Sequence, residues 1–405
     1  MRLYQVNSVL NYGSTGRIAE QIGLAVEAAG GQCRVAHGPK YPHATSLSHY
    51  VVGGQKDVLL HELQSLLLDR NGLASRRVTQ ALIADIKAFR PDLVQLHNLH
   101  GYYLYYPLLA DYLAAARVPV VWTLHDCWAF TGHCCYFDVA GCTRWQTGCG
   151  HCPCRSEYPR SLFMDRSVRN YREKRRAFAQ LAGQLTLVPV SDWLAGYLKD
   201  SFLKDVPWLT IHNGIDLTTF YPREATALRE RLGLGRKKVA LGVALPWIPR
   251  KGYDDMLALA GRLPKEDWQL ILVGLSDQQL AALPDGIVGV KRTADVDELA
   301  CYYSLAEVFV SASLEDNFPT TSLEALACGT PVVTYDTGGC SEAVDAATGR
   351  VVPQHDVAAL AATVVSIDKS AMSATCRTRA ERHFDRDQCY GAYLKLYESV
   401  LASRP

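Results

Sequence analysis

The chain has 405 residues, 48% hydrophobic and 20% charged, which is too long for one ordinary core and predicts two folded domains. Its formal charge of +1 excludes any global attraction to nucleic acid or to an acidic membrane, so an anionic partner must be met by local patches. The opening MRLYQVNSVL lacks a basic region followed by a long apolar run, and no later segment reaches bilayer length, so neither a signal peptide nor an integral membrane segment is expected.

Short apolar runs alternate with helix-period segments from end to end, the pattern of parallel sheets covered by helices on both faces. The first strand, RLYQV, runs into NSVLNYGSTGRIAEQ, where Gly13, Ser14, Thr15 and Gly16 open a helix. Glycines at a strand-to-helix turn let backbone N–H groups approach an anion, although tight packing asks for them too. The turn has neither Gly-x-Gly-x-x-Gly spacing nor a terminal Lys-Ser/Thr, so it is not a dinucleotide fingerprint or a P-loop. After DLVQLH from Asp92, the segment LHNLHGYYLYY offers His97 and His100 as polar candidates and Tyr102 and Tyr103 as stacking surfaces. The strand VPVVWTLH from Val118 ends on His125-Asp126. A histidine there can bond a sugar hydroxyl or position an acceptor, with Asp126 fixing its tautomer; the plainer reading is a packed or capping histidine.

Thirteen cysteines are an odd number, and seven of them fall between Cys127 and Cys154, which suits an intracellular metal site better than a disulfide framework. In TGHCCYFDVAGCTRWQTGCGHCPCR the closing Cys149-x-x-Cys152 is the tight ligand pair of zinc knuckles, and Cys134, Cys142, Cys149 and Cys152 would form a four-thiolate structural zinc site. Cys135 or Cys154 can substitute; free thiols, disulfides and a redox dithiol are the alternatives. Downstream, Arg166, Arg169, Arg172, Lys174, Arg175 and Arg176 gather on or near one helix. They read either as a solvated face or as a contact for a phosphorylated lipid carrier or an acidic membrane surface.

After LTLVPV from Leu185, the rhythm breaks near NGIDLTTFYPREAT, which marks the join between two doubly wound halves. The strand KVALGVAL from Lys238 leads to ALPWIPRKGYDDM, with Arg250 and Lys251 at the mouth of a helix. Two cations there oppose the helix's positive end, a cost that makes sense if a diphosphate is their partner. WQLILVG, EVFVSA and TPVVTY are further strands. Between the last two lies SASLEDNFPTTSLEALACG, where Asp316 falls in a loop and Glu324 about one turn inside a helix. Such a pair can hold sugar hydroxyls and a ribose while the helix N-terminus faces a diphosphate. The alternative is a capped helix with solvated acids at its mouth. The last helix, from about Asp387 to Leu401, carries Tyr390, Tyr393, Leu394, Tyr397 and Val400 on one side.

GSTGRIAEQ, LHDCWAFTG, PVSDWLAGYL, HNGIDLTTFYP, PRKG and EDNFPTTSLEALACGTPVV with TGGCSE together resemble the retaining glycosyltransferases of family 4, over nearly the whole chain. The cysteine spacing C-x7-C-x6-CGHCP is similar to a subgroup from bacterial exopolysaccharide clusters, including colanic-acid-type enzymes. The resemblance implies an α/β fold of GT-B type, two facing Rossmann-like doubly wound domains with a cleft between them. Residues 1–215 would form the acceptor domain, with a cysteine-rich insertion at about 127–154, residues 216–385 the donor domain, and 386–405 a helix crossing back to the first.

By the same resemblance, Arg250 and Lys251 hold the diphosphate of a nucleoside-diphosphate-sugar donor, Glu324 its ribose and Asp316 the transferred sugar. Thr320 and Thr321 add donors to the phosphate, Gly13 to Gly16 approach it from the other domain, and His125 sits beside the reacting sugar. His97, His100 and Asp126 are candidates on the acceptor side. The implied partner is a glycan or polyprenyl-diphosphate-linked acceptor, met in the cytoplasm with peripheral contact at the inner membrane face; no catalytic metal and no nucleic acid are expected. The family's usual glutamate, seven residues, glutamate signature is altered: Asp316 occupies the first register and Glu315 lies one place early. Two other readings are a sugar-nucleotide epimerase on the same frame and a zinc-knuckle module binding nucleic acid or protein.

Overall fold

A computed structural model describes residues 1–41 and 44–403. The chain divides into two compact units, Met1–His212 with Tyr390–Pro405, and Asn213–Cys389. The last two positions of the expected C-terminal segment, 404 and 405, lie outside the described residues.

The first unit is built on a parallel sheet of β1 (Arg2–Asn7), β2 (Gln32–His37), β3 (Ser48–Val51), β4 (Leu93–Leu96), β5 (Val120–Leu124) and β6 (Leu185–Pro189), in the order β3-β2-β1-β4-β5-β6. The second unit repeats this arrangement with β7 (Lys238–Val243), β8 (Trp268–Val273), β9 (Ile287–Val290), β10 (Val308–Ser311), β11 (Val332–Tyr335) and β12 (Gly349–Val352), ordered β12-β11-β10-β7-β8-β9 and again parallel. Helices fall between successive strands except from β2 to β3 and from β11 to β12, where only loops or a short 3-10 turn intervene, so each unit is a Rossmann-like doubly wound domain.

All eight strands read from the sequence are present. The strands left unread are β2, β3, β9 and β12. Three of these are sheet edges, and their exposed or half-exposed residues, such as the exposed Arg350 and Val351 in β12, break the continuous apolar run that marks a strand covered on both faces. By contrast, β5, with the sequence VVWTL, is buried along its whole length.

From Tyr390 onward, the final helix Arg386–Ala402 belongs to the first unit. Tyr390, Tyr393 and Tyr397 are buried there, each worth roughly 2 kcal/mol of apolar burial. They also answer buried polar groups of the sheet: the Tyr397 hydroxyl donates to Gln95 Oε1, Gln95 Nε2 donates to Thr123 Oγ1 at 2.9 Å, and Thr123 Oγ1 donates to the Tyr393 hydroxyl at 3.2 Å. No single helix among the described residues is long and apolar enough to cross a membrane.

In each sheet the strand order reverses once, between β1 and β4 and between β7 and β10. Ligands of open parallel sheets bind beyond the carboxyl ends of the strands at such reversals. The loops after β1, β4 and β5, and those after β7 and β10, are therefore the ones that position chemistry.

Candidate active site

In the second unit the loops after β7 and β10 are locked together. The Arg250 carbonyl accepts the Leu314 N–H at 2.8 Å, the Arg250 guanidinium donates to the Glu315 carbonyl, and Lys251 Nζ pairs with Asp316 Oδ2. Gly252 follows with φ +70°; a Cβ there would lie 1.8 Å from the Ala312 carbonyl oxygen, so only glycine lets the two loops close up. Gly338 does the same on the other side, with φ +54° and a virtual Cβ 1.7 Å from the Asp316 carbonyl oxygen. Asp316 is thereby fixed in position. Burial pushes its carboxyl up, but Lys251 and Arg250 outweigh burial and hold it below the usual carboxylate range. Arg250 and Lys251 lie in a short 3-10 turn, Pro249–Lys251, ahead of the helix Tyr253–Ala260.

The helix Thr320–Ala327 starts directly after Pro319. Thr320 and Thr321 are its first two residues, half-buried, where backbone N–H groups have no intrahelical partner. Glu324 lies one turn in from Thr320 on the same face and is 5% exposed, and its Oε2 accepts the Tyr303 hydroxyl at 2.7 Å. Glu315, also buried, is the immediate neighbour of Asp316; the side chain that meets Lys251 is that of Asp316.

In the first unit β1 ends on Asn7, which ties its sheet end together. Its Nδ2 donates to the Val9 and Thr15 carbonyls, and its Oδ1 accepts the N–H groups of Ser8 and Asn98. Gly13 and Ser14 are exposed at the start of the helix Gly13–Ala28, Thr15 is half-buried, and Gly16 is buried against Val9, Leu10 and Asn11. Gly16 is thus a packing glycine, while Gly13 and Ser14 present the helix start.

After β4 and β5 the histidines form a relay. Gln5 Nε2 donates to the Ala19 carbonyl at 2.8 Å, which leaves Gln5 Oε1 to accept His97 Nε2–H at 2.9 Å. His97 Nδ1 then accepts from His125 Nε2 at 3.0 Å, with the rings stacked 5.3 Å apart. The pattern assigns His125 a basic, unprotonated Nδ1. Burial lowers both groups: His97 goes well below its ordinary value, His125 also repelling it, and His125 goes to about 4 despite the pull of Asp126. Both are neutral near pH 7.

Asp126 does not set the tautomer of His125, as the sequence suggested. Its Oδ2 meets His100 Nε2 at 2.9 Å and its Oδ1 accepts the Trp128 N–H, while His100 Nδ1 meets the Tyr158 hydroxyl at 3.0 Å. Burial raises the Asp126 carboxyl, and the adjacent His100 outweighs it and brings the group below the usual range. His97, Asn98, His100, Trp122, His125 and Asp126 line one small cavity. Tyr102 and Tyr103 are not stacking surfaces: they are 9% and 1% exposed, and the Tyr103 hydroxyl donates to the Asn98 carbonyl.

Two family models match the chain: glycosyltransferase family 4 over residues 15–219 and glycosyl transferases group 1 over residues 237–369. The chain belongs to glycosyltransferase family 4. Among curated proteins it is 32% identical to a D-inositol 3-phosphate glycosyltransferase of Mycobacterium sp. (strain KMS), over 43% of this chain and 42% of that protein. It is 27% identical to the putative colanic acid biosynthesis glycosyl transferase WcaC of Escherichia coli K12, over 66% of this chain and 65% of that one. The chain thus spans about two fifths of the length of the first curated relatives and two thirds of WcaC. Among solved structures, the sucrose-phosphate synthase of Thermosynechococcus elongatus superposes with a TM-score of 0.73 at 20% identity, covering both chains completely. Anabaena HepE in complex with UDP-glucose superposes with a TM-score of 0.68 at 14% identity, over 98% of this chain and 100% of that one.

In this member of family 4 the cysteine loop packs into the core of the first unit. The thiols of Cys134, Cys152 and Cys154 are neighbours that influence one another, and Cys149 accepts the Gly132 N–H at 3.1 Å. The four expected ligands, Cys134, Cys142, Cys149 and Cys152, are not gathered within 4.8 Å of one another. Lys174 is not part of a solvated basic face: it is 2% exposed, its Nζ lies 3.4 Å from the Trp128 ring centroid and it donates to the Trp128 carbonyl.

Sequence reasoning missed Gln5, Asn7, Tyr158 and Tyr303. Gln5 had a signal, since a polar residue inside an otherwise apolar strand must find a buried partner. Tyr303 had none, because it reaches Glu324 from a separate helix, Val296–Leu305.

Proposed function

We propose that this glycosyltransferase moves a sugar from a nucleoside diphosphate to a glycan or polyprenyl-diphosphate-linked acceptor, with retention at the anomeric carbon. Its setting is the assembly of an exopolysaccharide or other cell-surface polysaccharide, on the cytoplasmic side of the membrane. The carrying observation is the locked arrangement of Arg250, Lys251 and buried Asp316 at the strand-order reversal of the second unit. The Lys251 ammonium carries three donors and can serve Asp316 and a phosphate oxygen together. In the proposed step the bond from the anomeric carbon to the diphosphate oxygen breaks, and the acceptor oxygen bonds to that carbon on the same face. The acceptor proton passes to a phosphate oxygen as the nucleoside diphosphate leaves. Arg250 and Lys251 stabilise the charge that develops on the leaving group. Asp316 holds sugar hydroxyls, Glu324 the ribose, and Thr320 and Thr321 the phosphate. In the first unit, the neutral His125 accepts a hydroxyl hydrogen bond at Nδ1. The name of WcaC supports the polysaccharide setting, and HepE, of the same fold, holds UDP-glucose, a donor of this class.

A panel of sugar nucleotides screened by thermal shift should single out one donor, because binding to the native state raises the melting temperature by mass action. Arg250→Ala should then lower transfer to a lipid-linked acceptor by about 10²-fold or more. Unimpaired transfer by Arg250→Ala, or epimerisation of the donor with no acceptor present, would sink the proposal.

We also propose a structural zinc in the cysteine loop, held by Cys134, Cys142, Cys149 and Cys152, with Cys154 as the alternate ligand. Support comes from the clustering of these cysteines, the backbone N–H on Cys149 and the buried Lys174, which burial pushes down to about 7 and neighbouring thiolates would hold in its charged form. Zinc would draw the four sulfurs closer than they stand. Protein purified without added metal should contain one zinc, and its removal should lower the melting temperature by roughly 5 °C or more. Freely titrating thiols with no zinc would remove the assignment.

A further inference from the structure

The helix Gln55–Leu68 packs inside out. It buries Val58, His61 and Ser65, and leaves Leu59 65%, Leu60 59%, Leu63 47% and Leu68 39% exposed. The inward polar group is properly housed, since His61 meets the Ser75 hydroxyl at 2.9 Å and accepts the Gly72 N–H at 3.1 Å. The outward leucines are therefore the native orientation of the helix and leave a face that no described residue covers.

Beside that face the loop Leu162–Met164 presents Leu162, Phe163 and Met164, with Phe163 72% exposed. The loop is held rigidly: the Leu162 N–H donates to the Leu66 carbonyl at 2.8 Å, and Ser161 Oγ donates to the Met164 carbonyl at 2.7 Å. Asp69, just past the leucine helix, accepts the Arg166 N–H at 2.7 Å, and its carbonyl accepts Asn170 Nδ2. The leucine helix, the loop and the start of the helix Ser167–Ala179 thus form one continuous surface. On the exposed side of that last helix stand Val168, Arg169, Arg172, Arg175 and Arg176.

Between 155 and 176 there are seven arginines against three carboxylates, in a chain whose net charge is only +1. Two of those carboxylates are already engaged, Asp165 with the N–H groups of Cys152 and Ser167 and Glu173 with Arg169. An apolar cluster of this size on a soluble surface marks an interaction site. Leucines and a phenylalanine flanked by arginines fit a bilayer interface, where the apolar tips enter the acyl boundary and the guanidinium groups meet lipid phosphates.

We propose that this face docks the glycosyltransferase on an anionic phospholipid bilayer. The inference deepens the reading of a lipid-linked acceptor given above and rests on it for its purpose. Its test needs neither donor nor acceptor, so the two can fail separately.

The measurement is flotation of the full chain with vesicles of phosphatidylglycerol and phosphatidylcholine, against pure phosphatidylcholine. The wild type should float with the anionic vesicles and at least tenfold less with neutral ones. The triple variant Leu59→Ser, Leu63→Ser, Phe163→Ser should lose anionic-vesicle binding by tenfold or more. Arg169→Ser with Arg172→Ser and Arg175→Ser should abolish the preference for anionic lipid. All six side chains are exposed, so circular dichroism and melting should stay close to wild type. Failure of the wild type to float, or unchanged flotation in both variants, overturns the proposal. So does light scattering that shows a wild-type dimer becoming a monomer in the leucine variant, since a second copy would then be the occupant.

Discussion

Lys251→Met should reduce kcat/KM for sugar transfer by about 10²–10³, the effect of removing one preorganised group that stabilises charge developing in the transition state. Methionine keeps the apolar stem and removes only the ammonium, so the loss reports charge. The same change leaves Asp316 buried with Arg250 as its remaining cation. The ion pair is incompletely buried, Lys251 being 25% exposed and Asp316 11%, so the stability cost should be about 2 kcal/mol, below the 3–5 kcal/mol of a fully buried pair.

The pH dependence should weaken as well. In the wild type the Asp316 carboxyl is depressed by Lys251 and Arg250 against burial, so its contribution to stability is present above the unfolded carboxylate range and is lost as pH falls through the folded value. Without Lys251 the carboxyl rises, held down only by Arg250 and the Asn317 N–H against burial, so less stability is lost on acidification and the loss begins at higher pH. Urea melts from pH 3 to 7 on both proteins check this. Parallel curves would show that Lys251 does not govern Asp316.

Glu324→Ala should weaken donor binding by about 10²-fold, since two hydrogen bonds from ribose hydroxyls to a buried carboxylate contribute on the order of 3 kcal/mol together. Titration calorimetry with the nucleoside diphosphate alone isolates this effect from the sugar and from the acceptor. Tyr303→Phe is the companion experiment. Tyr303 is a positioning residue: its hydroxyl holds Glu324 Oε2 at 2.7 Å inside the unit. Its removal should raise KM for the donor several-fold with kcat nearly unchanged, and Glu324→Gln should retain the Tyr303 bond while losing the charge. A fall in kcat with unaltered KM in Tyr303→Phe would assign the tyrosine a different role.

The local sequence alone determined a good deal. Continuous apolar runs can be read as strands because both faces of an inner parallel strand are covered, which is why β5 was legible and the edge strands β3, β9 and β12 were not. Strand ends are local features too, so the loops bearing His125, Arg250, Lys251 and Asp316 could be placed beyond the sheet from spacing alone. The family motifs supplied the two-domain frame. Partners, however, were decided by the tertiary structure. Lys251 meets Asp316 across 65 positions because the strand order puts β7 beside β10, and no local spacing encodes sheet order. For the same reason His125 answers to His97 and Gln5, while the adjacent Asp126 answers to His100. Facing direction was likewise a matter of packing. In SVRNYREKRRAF the buried cation Lys174 is indistinguishable by composition from its solvated neighbours. In QKDVLLHELQSLLL the leucines would be assigned to the core on any hydrophobicity scale. Only the folded chain, with His61 bonded inside, shows them turned outward.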